Sequence, residues 1–245
     1  MAVATDWKPL ASQAVLVLRA TLLGRIRAFF AALDVLEVDT PVLSLAASTD
    51  PVLHSFYTCS PADRLAGTAP RYLHTSPEFP MKRLLAAGSG SIYQVCKVFR
   101  NGEQGARHNP EFTLLEWYRT GFDHLDLMDE VERLLVTVLE GILPVTSVHH
   151  WCYRDLFIDI TGVDPFATSV QSLRDMLATG FGVATAGQLA DDLDTWLDLV
   201  MSHVIEPRLG EGLVFIRDYP ASQASLARLP SANPAVASRF EVYLN

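Results

Sequence analysis

This 245-residue chain predicts an α+β fold, an antiparallel β-sheet flanked by helices. Three observations carry that expectation. Apolar residues recur at helical spacing in several separate segments. Strand-like runs come in pairs that lie close in sequence, as hairpins do and parallel crossovers do not. Hydrophobic residues make up 49% of the chain, enough for a sizeable core and too many for a disordered one.

The elements follow in order. Residues 12–33 carry Val15, Leu18, Leu22, Ile26, Phe29, Phe30 and Leu33 at the spacing of an amphipathic helix. "VLEVDTPVL" (35–43) alternates like a strand, and Pro41 marks its edge or end. Residues 44–70, rich in Ala, Ser, Thr and Pro, read as a loop. "TSPEFPMKRLLAAGSG" (75–90) is a short helix with Ser76 as N-cap, Pro77 as first helical residue and Gly88 as its stop. "SIYQVCKVFR" (91–100) is β-branched and aromatic, hence a strand, and residues 111–119 are its partner. Residues 123–140 form a helix with Leu127, Val131, Leu134, Leu135 and Val138 inward, ended by Gly141 and Pro144. Helices are expected over 169–179 and 188–204, and strands over 213–220 and 240–244. There is no internal repeat and no low-complexity linker.

Composition excludes some functions. The formal net charge is −9, whereas a domain that grips nucleic acid through its phosphates should be basic. Cys59, Cys96 and Cys152 are far apart and form no Cys-x-x-Cys, as in a reduced, intracellular protein. His149, His150 and Cys152 sit close together, but no second ligand cluster accompanies them, so a loop or strand start is the expectation. Charged residues interrupt the N-terminal apolar stretch, which is not a secretory signal. No apolar run approaches the roughly 20 residues that span a bilayer. A cytoplasmic protein with no membrane partner is expected.

The chemistry concentrates in "FRNGEQGARHNPEFTLLEWYR" (99–119). Strand side chains alternate between faces. Gln94, Cys96, Val98 and Arg100 therefore share one face, as do Phe112, Leu114, Glu116 and Tyr118. One face of the hairpin thus has the composition of a ligand floor for a molecule with a ring, an anion and an ammonium. The other, with Val95, Phe99, Leu115 and Trp117, has the composition of a core. An ordinary solvated face, with Glu116 and Arg100 paired across the sheet, fits the alternation equally well. The residues alone leave both readings open.

The same stretch resembles motif 2 of the class II aminoacyl-tRNA synthetases, in the form found in lysyl-tRNA synthetases. "TSPEFPMKRLL" (75–85) resembles the segment before it, and "FFAALDVLEVDTPVL" (29–43) resembles motif 1. "FIRDYPASQASLARL" (215–229) followed by "RFEVYLN" (239–245) resembles the stretch leading to motif 3. The resemblance implies one class II catalytic domain over residues 1–245, with motif 1 at about 29–43 and motif 2 at about 94–119. With motif 1 beginning near residue 29, no anticodon-binding domain is expected before it. The phrasing of "HNPEFTLLEWYR" and "YPASQASLA" most resembles the stand-alone paralogue family, the elongation factor P–(R)-β-lysine ligases.

That resemblance implies an activity and a set of residue roles. The family activates (R)-β-lysine with ATP and Mg²⁺ and transfers it to a lysine side chain of elongation factor P. Arg100 matches the catalytic arginine on the α-phosphate and the substrate carboxylate. Asn101, Gly102, Glu103, His108, Asn109 and Phe112 fall in the ATP-binding set, Phe112 as the adenine-stacking ring and His108 near the outer phosphates. Ser76, Pro77 and Glu78 match one wall of the amino-acid pocket, and Glu116 and Tyr118 the other. Two carboxylates suit a substrate with two ammonium groups. The substrate's own carboxylate attacks phosphorus, so the chemistry requires no nucleophilic side chain. A homodimer through motif 1 is implied, and tRNA is disfavoured as a partner.

Two departures qualify the match. Lysyl-tRNA synthetases carry glutamate directly after the Arg-Asn pair; here Gly102 stands there and Glu103 follows. The family also continues, beyond the point matched by Asn245, into an acid-bearing strand and motif 3. No metal ligand is therefore expected within this chain, which reads either as a truncated ligase or as a non-catalytic relative binding nucleotide or protein. A synthetase-like enzyme that activates lysine is the other alternative.

Overall fold

In the computed structural model, residues 9–50, 53–61, 67–105, 108–181 and 191–245 are described. Parts of the expected 44–70 loop, residues 106–107 of the hairpin tip and residues 188–190 of the expected 188–204 helix lie outside them. The fold is α+β, and it divides into two compact units, Met1–Gly121 and Phe122–Asn245.

The first unit opens with helix α1 (Gln13–Ala32), capped by Ser12, whose side chain accepts from the Val15 N–H. Strand β1 (Leu36–Glu37) runs parallel to β5 (Ile92–Phe99), and β5 pairs antiparallel with β6 (Glu111–Tyr118). Strands β2 (Leu43–Ser44), β3 (Tyr57–Thr58) and β4 (Arg71–Leu73) make a small antiparallel sheet in the order β2-β4-β3. The expected strand 35–43 is thus two short strands in two sheets, broken around Pro41. Helix α2 (Glu78–Ala86) ends in a Schellman motif: Gly88, at φ +90°, donates to Leu85 O, and Ser89 donates to Leu84 O. Phe30, fully buried, stacks on Tyr93 at 4.5 Å and meets Trp117 at 5.6 Å. This aromatic cluster packs on the Trp117 face of the β5–β6 hairpin, where Val95, Phe99, Leu115 and Trp117 are half-buried rather than buried. Ile92, Gln94 and Val98 on the opposite face are buried, so the expected division into one core face and one ligand face is not a division in burial. The apolar residues of the first turns of α1 point outward instead: Val15, Leu16 and Val17 are each more than half exposed.

The second unit begins with α3 (His124–Leu139), whose start is a full capping box between Asp123 and Asp126. It buries Met128, Val131, Leu134 and Val138. Strand β7 (Val148–Cys152) runs parallel to β8 (Leu213–Pro220), which pairs antiparallel with β9 (Val236–Leu244). The His149–Cys152 cluster is therefore a strand, and all three cysteines are free thiols. Helices α4 (Tyr153–Thr161), α5 (Val170–Gly180) and α6 (Leu193–Val200) pack a core of Tyr153, Phe157, Leu173, Leu177, Trp196 and Leu197 against Val214 and Ile216 of β8. Helix α6 passes into one π turn, Met201–Ile205, and a 3₁₀ turn, Glu206–Arg208.

Two pairings depart from the antiparallel expectation, β1 with β5 and β7 with β8. In each, one partner is a short strand far off in sequence, so spacing between neighbours gave no sign of it. Among the described residues no helix is long and apolar enough to cross a membrane.

Candidate active site

The β5–β6 register sets the floor. Gln94 lies opposite Glu116, Cys96 opposite Leu114 and Val98 opposite Phe112, all on the face away from Trp117. The alternation read from the sequence is thus the alternation of the ladder.

At one end, Glu116 is held by two hydroxyls. Ser76 donates to Oε2 at 2.5 Å and Tyr118 donates to Oε1 at 2.7 Å. Burial first, then the hydrogen bond to Glu116, pushes the Tyr118 phenol well above its ordinary range, with the nearby Glu78 charge adding to it. Tyr118 is therefore a fixed donor at neutral pH. Ser76 also accepts from the Glu78 N–H at 3.0 Å. Ser76 was expected to be the N-cap; Pro77 takes that position and helix α2 starts at Glu78. Ser76 still satisfies a free N–H of the first turn, so one hydroxyl links helix start and strand. Glu78 is engaged by Lys82, one turn on, at 2.6 Å.

Beneath Glu116 the floor is buried and neutral. Gln94 is 1% exposed, and its Oε1 accepts from the buried Thr40 hydroxyl at 3.0 Å. Burial raises the Cys96 thiol, which keeps it protonated.

At the other end, Arg100 follows β5 directly. Its backbone N–H donates to Pro110 O at 2.9 Å, and its Nε donates to Thr75 O at 3.3 Å. The guanidinium lies over the Phe112 ring, 5.0 Å from the centroid, and 3.8 Å from Glu103. Arg100 and Glu116 therefore do not pair across the sheet; the carboxylate near Arg100 is that of Glu103. Gly102 adopts φ +88°, a left-handed turn that suits glycine. Asn101 is tied by its backbone to His54, at 2.8 Å.

The structure thus brings Ser76, Glu78, Glu116 and Tyr118 into one group and Arg100, Glu103 and Phe112 into another. Pro77 serves as helix cap, and His108 and Asn109 sit exposed at the hairpin tip. Sequence reasoning missed Lys82 and Thr40. The Glu78–Lys82 spacing of four was the available signal for Lys82; Thr40 had none.

A cavity of about 430 Å³ lies elsewhere, within the second unit, lined by Asp198, Glu206, Tyr219, Arg239, Glu241 and Tyr243 among others. Its arginine is engaged internally, by Glu241 and by the Gln223 carbonyl. None of the site residues named from the sequence lines it, although Tyr219, Arg239, Glu241 and Tyr243 fall in the stretches that resemble the approach to motif 3. Among the described residues no group of three or more His, Cys, Asp or Glu could hold a metal ion.

Comparison with known proteins places these features in a family. Residues 4–245 match the family described as tRNA synthetases class II (D, K and N). A Vibrio cholerae protein named elongation factor P–(R)-β-lysine ligase is 49% identical over 98% of this chain and 72% of its own length. Proteins of the same name from Vibrio atlanticus and Pseudoalteromonas translucida are 47% and 45% identical, over 98% and 97% of this chain and 73% and 72% of theirs.

Proposed function

The chain belongs to the class II tRNA synthetase family of the D, K and N type, and from that premise we propose an ATP-dependent amino-acid ligase. Its substrate is (R)-β-lysine, and its acceptor is a lysine side chain of elongation factor P. The observation that carries this reading is the polarity of the hairpin floor. A carboxylate held by two hydroxyls, Glu116, stands at one end, and a guanidinium over an aromatic ring, Arg100 on Phe112, at the other. Such a floor takes an ammonium at one end and an anion beside a planar base at the other.

Each residue then has a role. Glu116 and Glu78 receive the two ammonium groups, with Ser76 and Tyr118 fixing Glu116 and Pro77 setting the helix start. Phe112 stacks the adenine, and Asn101, Gly102, Glu103, His108 and Asn109 line the nucleotide. The substrate carboxylate attacks the α-phosphorus and pyrophosphate leaves; Arg100 stabilises the charge that builds on the phosphoryl oxygens. The amine of the acceptor lysine then attacks the acyl carbon, losing its proton, and AMP leaves. Mg²⁺ belongs to the expected cofactors, and none of its ligands is assigned among the described residues. The net charge of −9 argues against tRNA as acceptor. The outward apolar residues of α1 fit a homodimer interface, which belongs to the same proposal.

The test is direct. Incubated with ATP, Mg²⁺, (R)-β-lysine and elongation factor P, the protein is expected to add one β-lysyl mass to the factor and release pyrophosphate. No mass gain, with no pyrophosphate exchange for β-lysine or lysine, overturns the reading. Exchange with lysine alone would replace the substrate.

A further inference from the structure

The two carboxylates of the pocket are not equivalent. Glu116 has two hydroxyl donors and, among the described residues, no cation within salt-bridge distance. Glu78 has a cation already, Lys82 Nζ at 2.6 Å. We propose that Lys82 is a specificity-determining residue, a built-in stand-in for one substrate ammonium that neutralises Glu78 until a second ammonium displaces it. This rests on the proposed assignment of Glu116 and Glu78 to the substrate's ammonium groups.

Three features support it. First, the pair joins residues four apart on α2, so Lys82 is delivered to Glu78 by the helix itself. Second, both side chains are partly exposed, 33% for Glu78 and 42% for Lys82. A pair so screened is weak, and the flexible lysine stem can swing into solvent with no backbone change. Third, the Ser76 hydroxyl accepts from the Glu78 N–H and donates to the Glu116 carboxylate, so the two acids share one locale. An extra cation there relieves their mutual repulsion.

The charge count then decides which ligands fit. With one ammonium bound at Glu116 and Lys82 on Glu78, both carboxylates are compensated. A diammonium ligand compensates both by itself and releases Lys82. Without Lys82, a monoammonium ligand leaves Glu78 unpaired, while a diammonium ligand no longer has a competitor. Lys82 therefore softens the discrimination between the two ligand classes, and removing it sharpens that discrimination.

The experiment compares two ligands by calorimetry: (R)-β-lysine and its analogue with methyl in place of the terminal ammonium. Wild type, Lys82→Met and Lys82→Arg are measured, with thermal melts to confirm folding. In Lys82→Met the preference for the diammonium ligand should rise about two- to fivefold, the range for loss of one screened pair. Lys82→Arg should keep the wild-type ratio. An unchanged or lowered ratio in Lys82→Met, or a parallel loss for both ligands, overturns the inference and leaves the pocket reading standing. If wild type binds neither ligand, the pocket reading fails and takes the inference with it.

Discussion

Replacing Tyr118 with Phe removes one oxygen and little else. The ring stays to pack on the strand, while Glu116 Oε1 loses its donor at 2.7 Å and keeps only the Ser76 bond on Oε2. A hydrogen bond to an ionised acceptor contributes about 1.5–3 kcal/mol when buried. Both groups here are only partly buried, so about 1–2 kcal/mol is the working figure. If Glu116 receives an ammonium, that loss appears in binding of the amino acid as about a 5- to 30-fold rise in KM. The ATP end of the hairpin is untouched, so KM for ATP should hold. Pyrophosphate exchange, with amino acid and ATP varied in turn, measures both. A KM for the amino acid within twofold of wild type, or an equal change in the KM for ATP, would refute the assignment of Glu116 to the ammonium.

Two predictions concern the frame that holds the floor in place. Phe30→Ala empties a fully buried site between Tyr93 and Trp117 and should cost about 3–5 kcal/mol in urea unfolding; a cost under about 1 kcal/mol would mean the aromatic cluster does not anchor the hairpin. Tyr93 carries a phenol raised from 10.0 to about 12, by burial first and then by its hydrogen bond to Glu37. A raised folded pKa gives stability that is whole below pH 10 and lost as pH climbs towards 12. Unfolding measured across that window should show the decline in wild type and a smaller one in Tyr93→Phe; equal slopes would refute it.

Sequence periodicity carried much of this fold because much of it is local. Alternation placed Glu116, Phe112 and Tyr118 on one face because a strand leaves no choice once Trp117 packs against Phe30. Gly88 and Gly141 end helices at positive φ, where glycine is the residue at least cost. The parts missed are those decided by distant partners. Strands β1 and β7 take parallel neighbours across long stretches of chain. Helix α4 went unread because its nine residues, "YRDLFIDIT", mix aromatic and β-branched side chains in a segment too short to show a helical period. Lys82 was hidden by being ordinary, since a Glu–Lys spacing of four occurs on many solvated helices.

The site itself is ordered along one axis, and that order follows from the backbone. Arg100 stands six positions beyond Gln94, just past the end of β5, and Gln94 faces Glu116 on β6. At about 3.3 Å per residue Arg100 and the Gln94–Glu116 pair lie about 20 Å apart along the chain direction, a span that the side chains shorten from both sides. Under the proposed roles of Arg100 and Glu116, a substrate with its carboxylate and ammonium at opposite ends is favoured in one direction along such a floor. Turned around, it would set its ammonium against the guanidinium and its carboxylate against Glu116, two like-charge contacts at once. The same proposal directs the carboxylate to the end where Arg100 lies over the Phe112 ring. On the proposed assignment, orientation comes from the register of the hairpin, while the choice among amines falls to the first turn of α2, where Glu78 and Lys82 meet.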